Sequence, residues 1–60
     1  MSIKSIRESK NMTQLDVATI LNISRTTVAM WETGESMPRA EKLIQLAELF
    51  NCTVDELLKG

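Results

Sequence analysis

Residues 13–34 read TQLDVATILNISRTTVAMWETG, and polar capping residues divide this stretch into two short segments. Thr13 and Ser24 are predicted N-caps, because a hydroxyl oxygen can accept a hydrogen bond from an unpaired N–H group in the first turn of a helix. Asn22 and Gly34 are residue types that adopt the left-handed conformation in which many helices end. The stretch therefore predicts two capped helices with a tight turn between them.

Apolar residues recur at helical spacing within both segments. They are Val17, Ala18 and Leu21 before the turn, and Val28 and Trp31 after it. We predict helices over about residues 14–21 and 25–33, separated by about three turn residues. Two helices joined in this way form a helix-turn-helix unit, whose second helix enters the major groove of DNA in proteins that use the motif.

The same stretch resembles the Cro-type, lambda-repressor-like helix-turn-helix domains of the XRE family. Their signature is roughly Thr-Gln-x-x-(Leu/Val)-Ala, then an apolar residue, Ser-(Arg/Lys), a helix ending in Glu-x-Gly, and Pro. The matching residues are Thr13, Gln14, Val17, Ala18, Leu21, Ile23, Ser24, Arg25, Val28, Trp31, Glu32, Gly34 and Pro38. Arg7 matches an upstream arginine of the family, and residues 43–50 and 53–58 match its last two helices. The resemblance implies that residues 1–60 form one compact, all-α, five-helix domain.

The composition is that of one small domain. A chain of 60 residues with 43% apolar residues can build a single core, although so short a chain buries little surface. It contains no run of about 18 apolar residues and no apolar N-terminal segment. The sequence therefore predicts neither a membrane span nor a signal peptide. Its single cysteine, Cys52, is expected to be a buried structural thiol, a pattern typical of the reducing cytoplasm.

The remaining helices follow from the same rules. Helix one should cover about residues 2–10, and helix four should run from residue 39 or 40 to about residue 51. Thr53 is predicted to cap helix five, with Glu56 completing a capping box. The predicted core comprises Ile6, Val17, Ala18, Leu21, Ile23, Val28, Trp31, Leu43, Leu46, Ala47, Phe50 and Leu57.

The overall charge does not by itself favour a nucleic-acid partner. Seven Lys and Arg residues against eight Asp and Glu residues give a net charge of −1, whereas DNA-binding domains are usually basic. Acidic residues cluster in the last two helices, at Glu41, Glu48, Asp55 and Glu56. Cationic residues placed to meet phosphates are Lys10, Arg25, Arg39 and Lys42. This segregation predicts DNA binding with a weak non-specific component.

The second helix of the motif holds the candidate base contacts. Val28 and Trp31 determine its inner face. Arg25, Thr26 and Met30 therefore lie on its outer face. Arg25 suits bidentate contact with O6 and N7 of guanine, with a phosphate contact or a solvated position as alternatives. Thr26 can donate a hydrogen bond or contact a thymine methyl group, whereas Met30 offers only apolar contact where family members often carry Gln, Arg or Lys.

The resemblance also implies supporting roles. Gln14 matches a phosphate-binding glutamine at a helix N-terminus, with a solvated first-turn residue as the alternative. Further candidate phosphate contacts are Ser24, Thr27, Thr33 and Arg39. Arg7 is implied to form a partly buried ion pair with Glu32, with two separate surface charges as the alternative.

Four apolar residues fall outside the predicted inner stripes: Leu15, Ile20, Ile44 and Leu49. Isolated apolar side chains are common on protein surfaces. Helix four, however, carries more apolar residues than one buried face requires, which indicates an interface. We therefore expect a homodimer that pairs near helices four and five, with Ile44 and Leu49 as candidate interface residues.

These patterns together predict a cytoplasmic transcriptional regulator, most simply a repressor, that binds a two-fold symmetric DNA operator as a homodimer. The alternative is a protein-interaction module, such as an antitoxin or a partner-dependent regulator, with weak intrinsic DNA binding; the acidic balance and Met30 favour it. Catalysis is not expected, because the chain has no His, no Tyr and no Gly-rich phosphate loop. Without a His and Cys cluster, neither a metal site nor a cofactor is expected.

Overall fold

The architecture of the chain is entirely helical in the computed structural model, which describes residues 2–59. Within these residues there are five helices and no strand. The helices are α1 (Ile3–Ser9), α2 (Gln14–Leu21), α3 (Arg25–Thr33), α4 (Ala40–Phe50) and α5 (Val54–Leu58). The predicted all-α class is confirmed, and the predicted bounds of α2 and α3 agree with the structure.

The predicted caps form at the start of α2 and on both sides of the turn between α2 and α3. The Thr13 hydroxyl accepts a hydrogen bond from the Asp16 amide at 3.0 Å, and the Asp16 carboxylate accepts one from the Thr13 amide at 2.9 Å. This reciprocal capping box was not predicted, since the usual signature carries Glu or Gln at the third position. Ser24 caps α3 through the Thr27 amide, and Asn22 ends α2 with φ 57° and ψ 47°.

The ends of the other helices depend on the same local chemistry. Thr53 and Glu56 form the predicted capping box of α5. Asn51 adopts φ 53° and ends α4 at Phe50, one residue earlier than predicted, because a left-handed residue cannot continue the helix. Asn11 adopts φ 58° just beyond α1, which is shorter by one residue at each end than predicted.

A single core lies where the five helices meet. Its buried residues are Ile3, Val17, Ala18, Leu21, Val28, Trp31, Leu46, Ala47, Phe50 and Leu57. Ile6, Ile23 and Leu43 were predicted inside but are only half-buried against this core. In so small a domain a large share of the residues stays at the surface, so residues at the rim of the core keep contact with solvent.

Two further features concern the last helices. Cys52, predicted as a buried thiol, is half-buried against the core, and burial raises the pKa of the thiol, with a further contribution from Glu56. The Ser2 amide donates to the Leu57 carbonyl at 2.9 Å, which ties the start of α1 to α5. The longest described helix, α4, has 11 residues, and none of the described helices has the length and hydrophobicity to cross a membrane.

Candidate nucleic-acid interface

The outward face of α3 is the surface on which the sequence predicts base contacts. Helix α3 packs against α2, with Val28 and Trp31 buried in the core. Arg25 and Thr26 are exposed in its first turn, and Met30 is half-buried one turn later. The three candidate base contacts therefore lie away from the core, as helical periodicity predicts.

Arg25 is not isolated on this face. Its Nη1 donates a hydrogen bond to Gln14 Oε1 at 3.0 Å, which joins the first residue of α3 to the first residue of α2. Gln14 is half-buried, and its Nε2 donates to Glu32 Oε1 at 2.9 Å. Separate roles were predicted for Gln14, Arg25 and Glu32, and no local pattern in the sequence indicated that they are connected.

The ion pair implied by the family resemblance is present. Arg7 Nε donates to Glu32 Oε2 at 2.7 Å, and Arg7 Nη2 donates to Glu32 Oε1 at 3.2 Å. The two side chains are only 10% and 4% exposed. Arg7 Nη1 also donates to the Met12 carbonyl at 2.7 Å. This two-point geometry holds the Glu32 carboxylate in a single orientation between α1 and α3.

Both members of the pair are charged in the folded protein. Burial of the Glu32 carboxyl raises its pKa, but the hydrogen bonds from Arg7 and Gln14 and the charge of Arg7 outweigh burial, so the pKa lies below its ordinary value. The hydrogen bond with Glu32 raises the pKa of Arg7. Since neither group loses its charge near neutral pH, Glu32 acts as a permanent hydrogen-bond acceptor there.

Most of the other candidate phosphate contacts border the N-terminus of α3 and the loop after it. The Ser24 and Thr27 hydroxyls lie 2.8 Å apart at the N-terminus of α3, and Ser24 is exposed. Thr33 is exposed at the other end of α3, where its hydroxyl donates to the Met30 carbonyl at 3.2 Å. Arg39 is exposed immediately before α4. These groups form a discontinuous polar rim around α3.

Lys42 was predicted to be available to phosphates, but the structure gives it a different partner. Its Nζ donates to the Leu21 carbonyl at 3.2 Å, and the residue is half-buried. A cation at the C-terminus of a helix satisfies a free carbonyl and complements the helix dipole. Lys42 therefore caps α2 from α4, which the sequence could not indicate because the two residues are far apart in the chain.

The candidate dimer residues differ in their exposure. Ile44 is 56% exposed on α4, whereas Leu49 is half-buried and packs against the core. Leu49 borders a shallow depression of about 390 Å³ between α2 and α4, lined also by Ile20, Leu21, Gln45 and Glu48. Of the two predicted residues, Ile44 is thus the more accessible to a second protein chain.

Comparison of the sequence with known proteins finds similarity along almost the whole chain. A helix-turn-helix family model matches residues 3–57. The chain is 40% identical over 58 residues to the HTH-type transcriptional activator BcrR of Enterococcus faecalis, an alignment that covers 97% of this chain and 28% of that protein. It is 39% identical over 56 residues to the HTH-type transcriptional regulator AnsR of Bacillus subtilis (strain 168), covering 93% and 48%.

A phage protein is also similar. The chain is 29% identical over 58 residues to Repressor protein C2 of Salmonella phage P22, covering 97% of this chain and 27% of that protein. The chain therefore spans less than half the length of these three relatives. No solved structure matches the chain with comparable significance.

Proposed function

The chain belongs to the helix-turn-helix family as an XRE-type, lambda-repressor-like domain, and on that premise we propose that it regulates transcription by binding double-stranded DNA at specific sequences. Helix α3 would enter the major groove as the recognition helix. The relatives include an activator and a repressor, so the family does not determine the direction of regulation. Repression by occupying a promoter is the simplest mode, because it requires only that the domain bind DNA.

The single observation that supports this function best is the position of Arg25. It lies in the exposed first turn of α3, and Gln14 holds its guanidinium through a hydrogen bond of 3.0 Å. Side chains in the first turn of a recognition helix reach base edges, and Arg bonded to O6 and N7 of guanine is the commonest specific contact. We assign Arg25 to a guanine, with Thr26 and Met30 making weaker or apolar base contacts.

The rim around α3 supports contacts to the DNA backbone. Gln14 retains a second amide hydrogen beyond the one it donates to Glu32, and it lies at the N-terminus of α2, where anions are favoured. Other candidate phosphate contacts are Ser24, Thr27, Thr33 and Arg39. Such contacts would set the register of α3 in the groove without reading sequence.

The proposed mode of assembly is a homodimer on a symmetric site. One recognition helix contacts only a few base pairs, too few for specificity in a genome, and two-fold symmetry places half-site centres about 34–36 Å apart. Ile44, exposed on α4, is our candidate for the pairing surface. Because the proposed partner is chromosomal or phage DNA, the proposed location is the cytoplasm, and binding rather than catalysis is the proposed activity.

A second function of a different class has one observation in its favour. The net charge of −1 is unusual for a domain that binds DNA alone. It fits a module that acts mainly through a protein partner, such as an antitoxin or a partner-dependent regulator, with weak intrinsic DNA affinity. The two proposals differ in whether the purified chain by itself selects a DNA sequence.

Selection from a random DNA pool tests the proposal directly. The purified protein should enrich a two-fold symmetric sequence, and Arg25→Ala should lose about 1–3 kcal/mol of binding and relax the preference at one guanine per half-site. Lys59→Ala removes the same charge at the C-cap of α5, outside the helix-turn-helix, and should keep the preference. Enrichment of no sequence, or enrichment only after a protein partner is added, would favour the interaction module.

A further inference from the structure

A chain of hydrogen bonds connects the interior of the domain to the exposed start of α3. It begins at Glu32, whose side chain is 4% exposed, and its Oε1 accepts from Gln14 Nε2 at 2.9 Å. Gln14 Oε1 then accepts from Arg25 Nη1 at 3.0 Å. Within this series of hydrogen bonds, the Gln14 side chain connects the buried Glu32 carboxylate to the exposed Arg25 guanidinium.

The two charged groups determine which way the Gln14 amide between them must be oriented. A carboxylate only accepts hydrogen bonds and a guanidinium only donates them, whereas an amide does both. Gln14 must therefore turn its NH2 group toward Glu32 and its oxygen toward Arg25. The reversed amide would place oxygen against the Glu32 carboxylate and NH2 against the Arg25 guanidinium, and both contacts would be repulsive.

The inner end of the chain is held firmly. Arg7 donates to both carboxylate oxygens of Glu32, and its remaining terminal nitrogen donates to the Met12 carbonyl. An acceptor fixed in this way fixes the amide that donates to it. The same geometry therefore determines where the oxygen that faces Arg25 is located.

We propose that Glu32 is a positioning residue for Arg25, acting through the Gln14 amide to hold the guanidinium in place before DNA arrives. This inference rests on the proposed function, in which Arg25 contacts a guanine. A free arginine side chain loses much rotamer freedom when it is immobilised in a complex, and ordering it beforehand lowers that cost. Loss of the buried acceptor should therefore weaken discrimination at that guanine.

The test uses two double variants that differ only in the acceptor. Arg7→Met with Glu32→Met removes the ion pair and the acceptor, while the net charge is unchanged and no buried charge is left without a partner. Arg7→Met with Glu32→Gln also removes the ion pair but keeps a carbonyl oxygen for the Gln14 amide. Replacing Gln14 with Met in the parent breaks the chain one link nearer the surface and leaves the ion pair intact.

The measured quantity is the ratio of Kd for the operator with that guanine replaced to Kd for the selected operator. The folded fraction of a variant cancels in this ratio, and a lost phosphate contact cancels as well, since phosphates carry no sequence information. We expect the Arg7→Met, Glu32→Met variant (Met–Met) and the Gln14→Met variant to lower the ratio about fivefold. The Arg7→Met, Glu32→Gln variant (Met–Gln) keeps the acceptor but loses the group that holds it, so its ratio should lie between those of Met–Met and the parent. Equal ratios for the Met–Met and Met–Gln variants would overturn the inference.

A second measurement in the free protein separates this inference from the proposed function. The ¹⁵N heteronuclear NOE of the Arg25 side chain reports its order without DNA. We expect an ordered Arg25 in the parent, a mobile one in the Met–Met and Gln14→Met variants, and an intermediate order in the Met–Gln variant. If Arg25→Ala leaves the Kd ratio unchanged, the proposed guanine contact is wrong. If Arg25 is as ordered in the Gln14→Met variant as in the parent, the positioning role is wrong. This second outcome does not require the Met–Met variant to fold.

Discussion

At the scale of single residues, the Arg7–Glu32 pair couples stability to pH. Unfolding returns Glu32 to its ordinary pKa of 4.5, whereas in the folded protein its pKa is lower, since the hydrogen bonds from Arg7 and Gln14 and the charge of Arg7 outweigh the opposing effect of burial. The stabilisation by the charged form is therefore complete above pH 4.5 and is lost as the pH falls through the folded-state pKa. We expect urea unfolding, followed by Trp31 fluorescence, to show a steeper loss of stability on acidification for the parent than for the Arg7→Met, Glu32→Met variant. Parallel pH profiles for the two proteins would contradict this coupling.

At the scale of helices, the capping boxes stabilise α2 and α5, which are both short. Helix α2 has eight residues and α5 has five, lengths at which an isolated helix is unstable in water. Thr13→Ala should lower the free energy of unfolding by about 1 kcal/mol, because the Asp16 amide loses its acceptor. Thr19→Ala removes the same atoms from a solvent-exposed position in the middle of α2. It should be neutral or slightly stabilising, since Ala favours helix. Chemical denaturation of both variants measures the difference, and equal losses would show that the cap contributes nothing specific.

At the scale of the whole molecule, we propose a homodimer because a domain of 24 × 23 × 19 Å is smaller than the distance of about 34–36 Å between the centres of two half-sites. Ile44→Glu places a charge on an exposed site of α4, so it should keep stability within about 0.5 kcal/mol of the parent while abolishing cooperative operator binding. Leu49→Glu is a poorer probe, because Leu49 packs against the core and its replacement would also destabilise the monomer. Leu15→Glu introduces the same charge at a 60% exposed site on α2 and serves as the control for self-association in sedimentation experiments. Unchanged self-association of the Ile44→Glu protein would locate the interface elsewhere.

Much of the fold follows from interactions within four residues of the chain. The caps at Thr13, Ser24 and Thr53 and the left-handed ends at Asn22 and Gly34 were all predicted, because each depends on one residue type and the backbone next to it. Helical spacing also placed Arg25, Thr26 and Met30 on the outer face of α3. The ion pair between Arg7 and Glu32 was available only through the family resemblance.

What could not be predicted depends on groups that are distant in the chain. The contact between Gln14 and Glu32 joins residues 18 apart, and that between Arg25 and Gln14 joins residues 11 apart. Lys42 caps a helix that ends 21 residues earlier, and the half-burial of Leu49 depends on how α4 packs against its neighbours. Sequence periodicity assigns a residue to a face of its own helix, but the distance between two faces is determined by how the helices pack around the core. The positions of the candidate DNA contacts were therefore encoded locally, whereas their connection to the buried carboxylate arises only when α1, α2 and α3 come together.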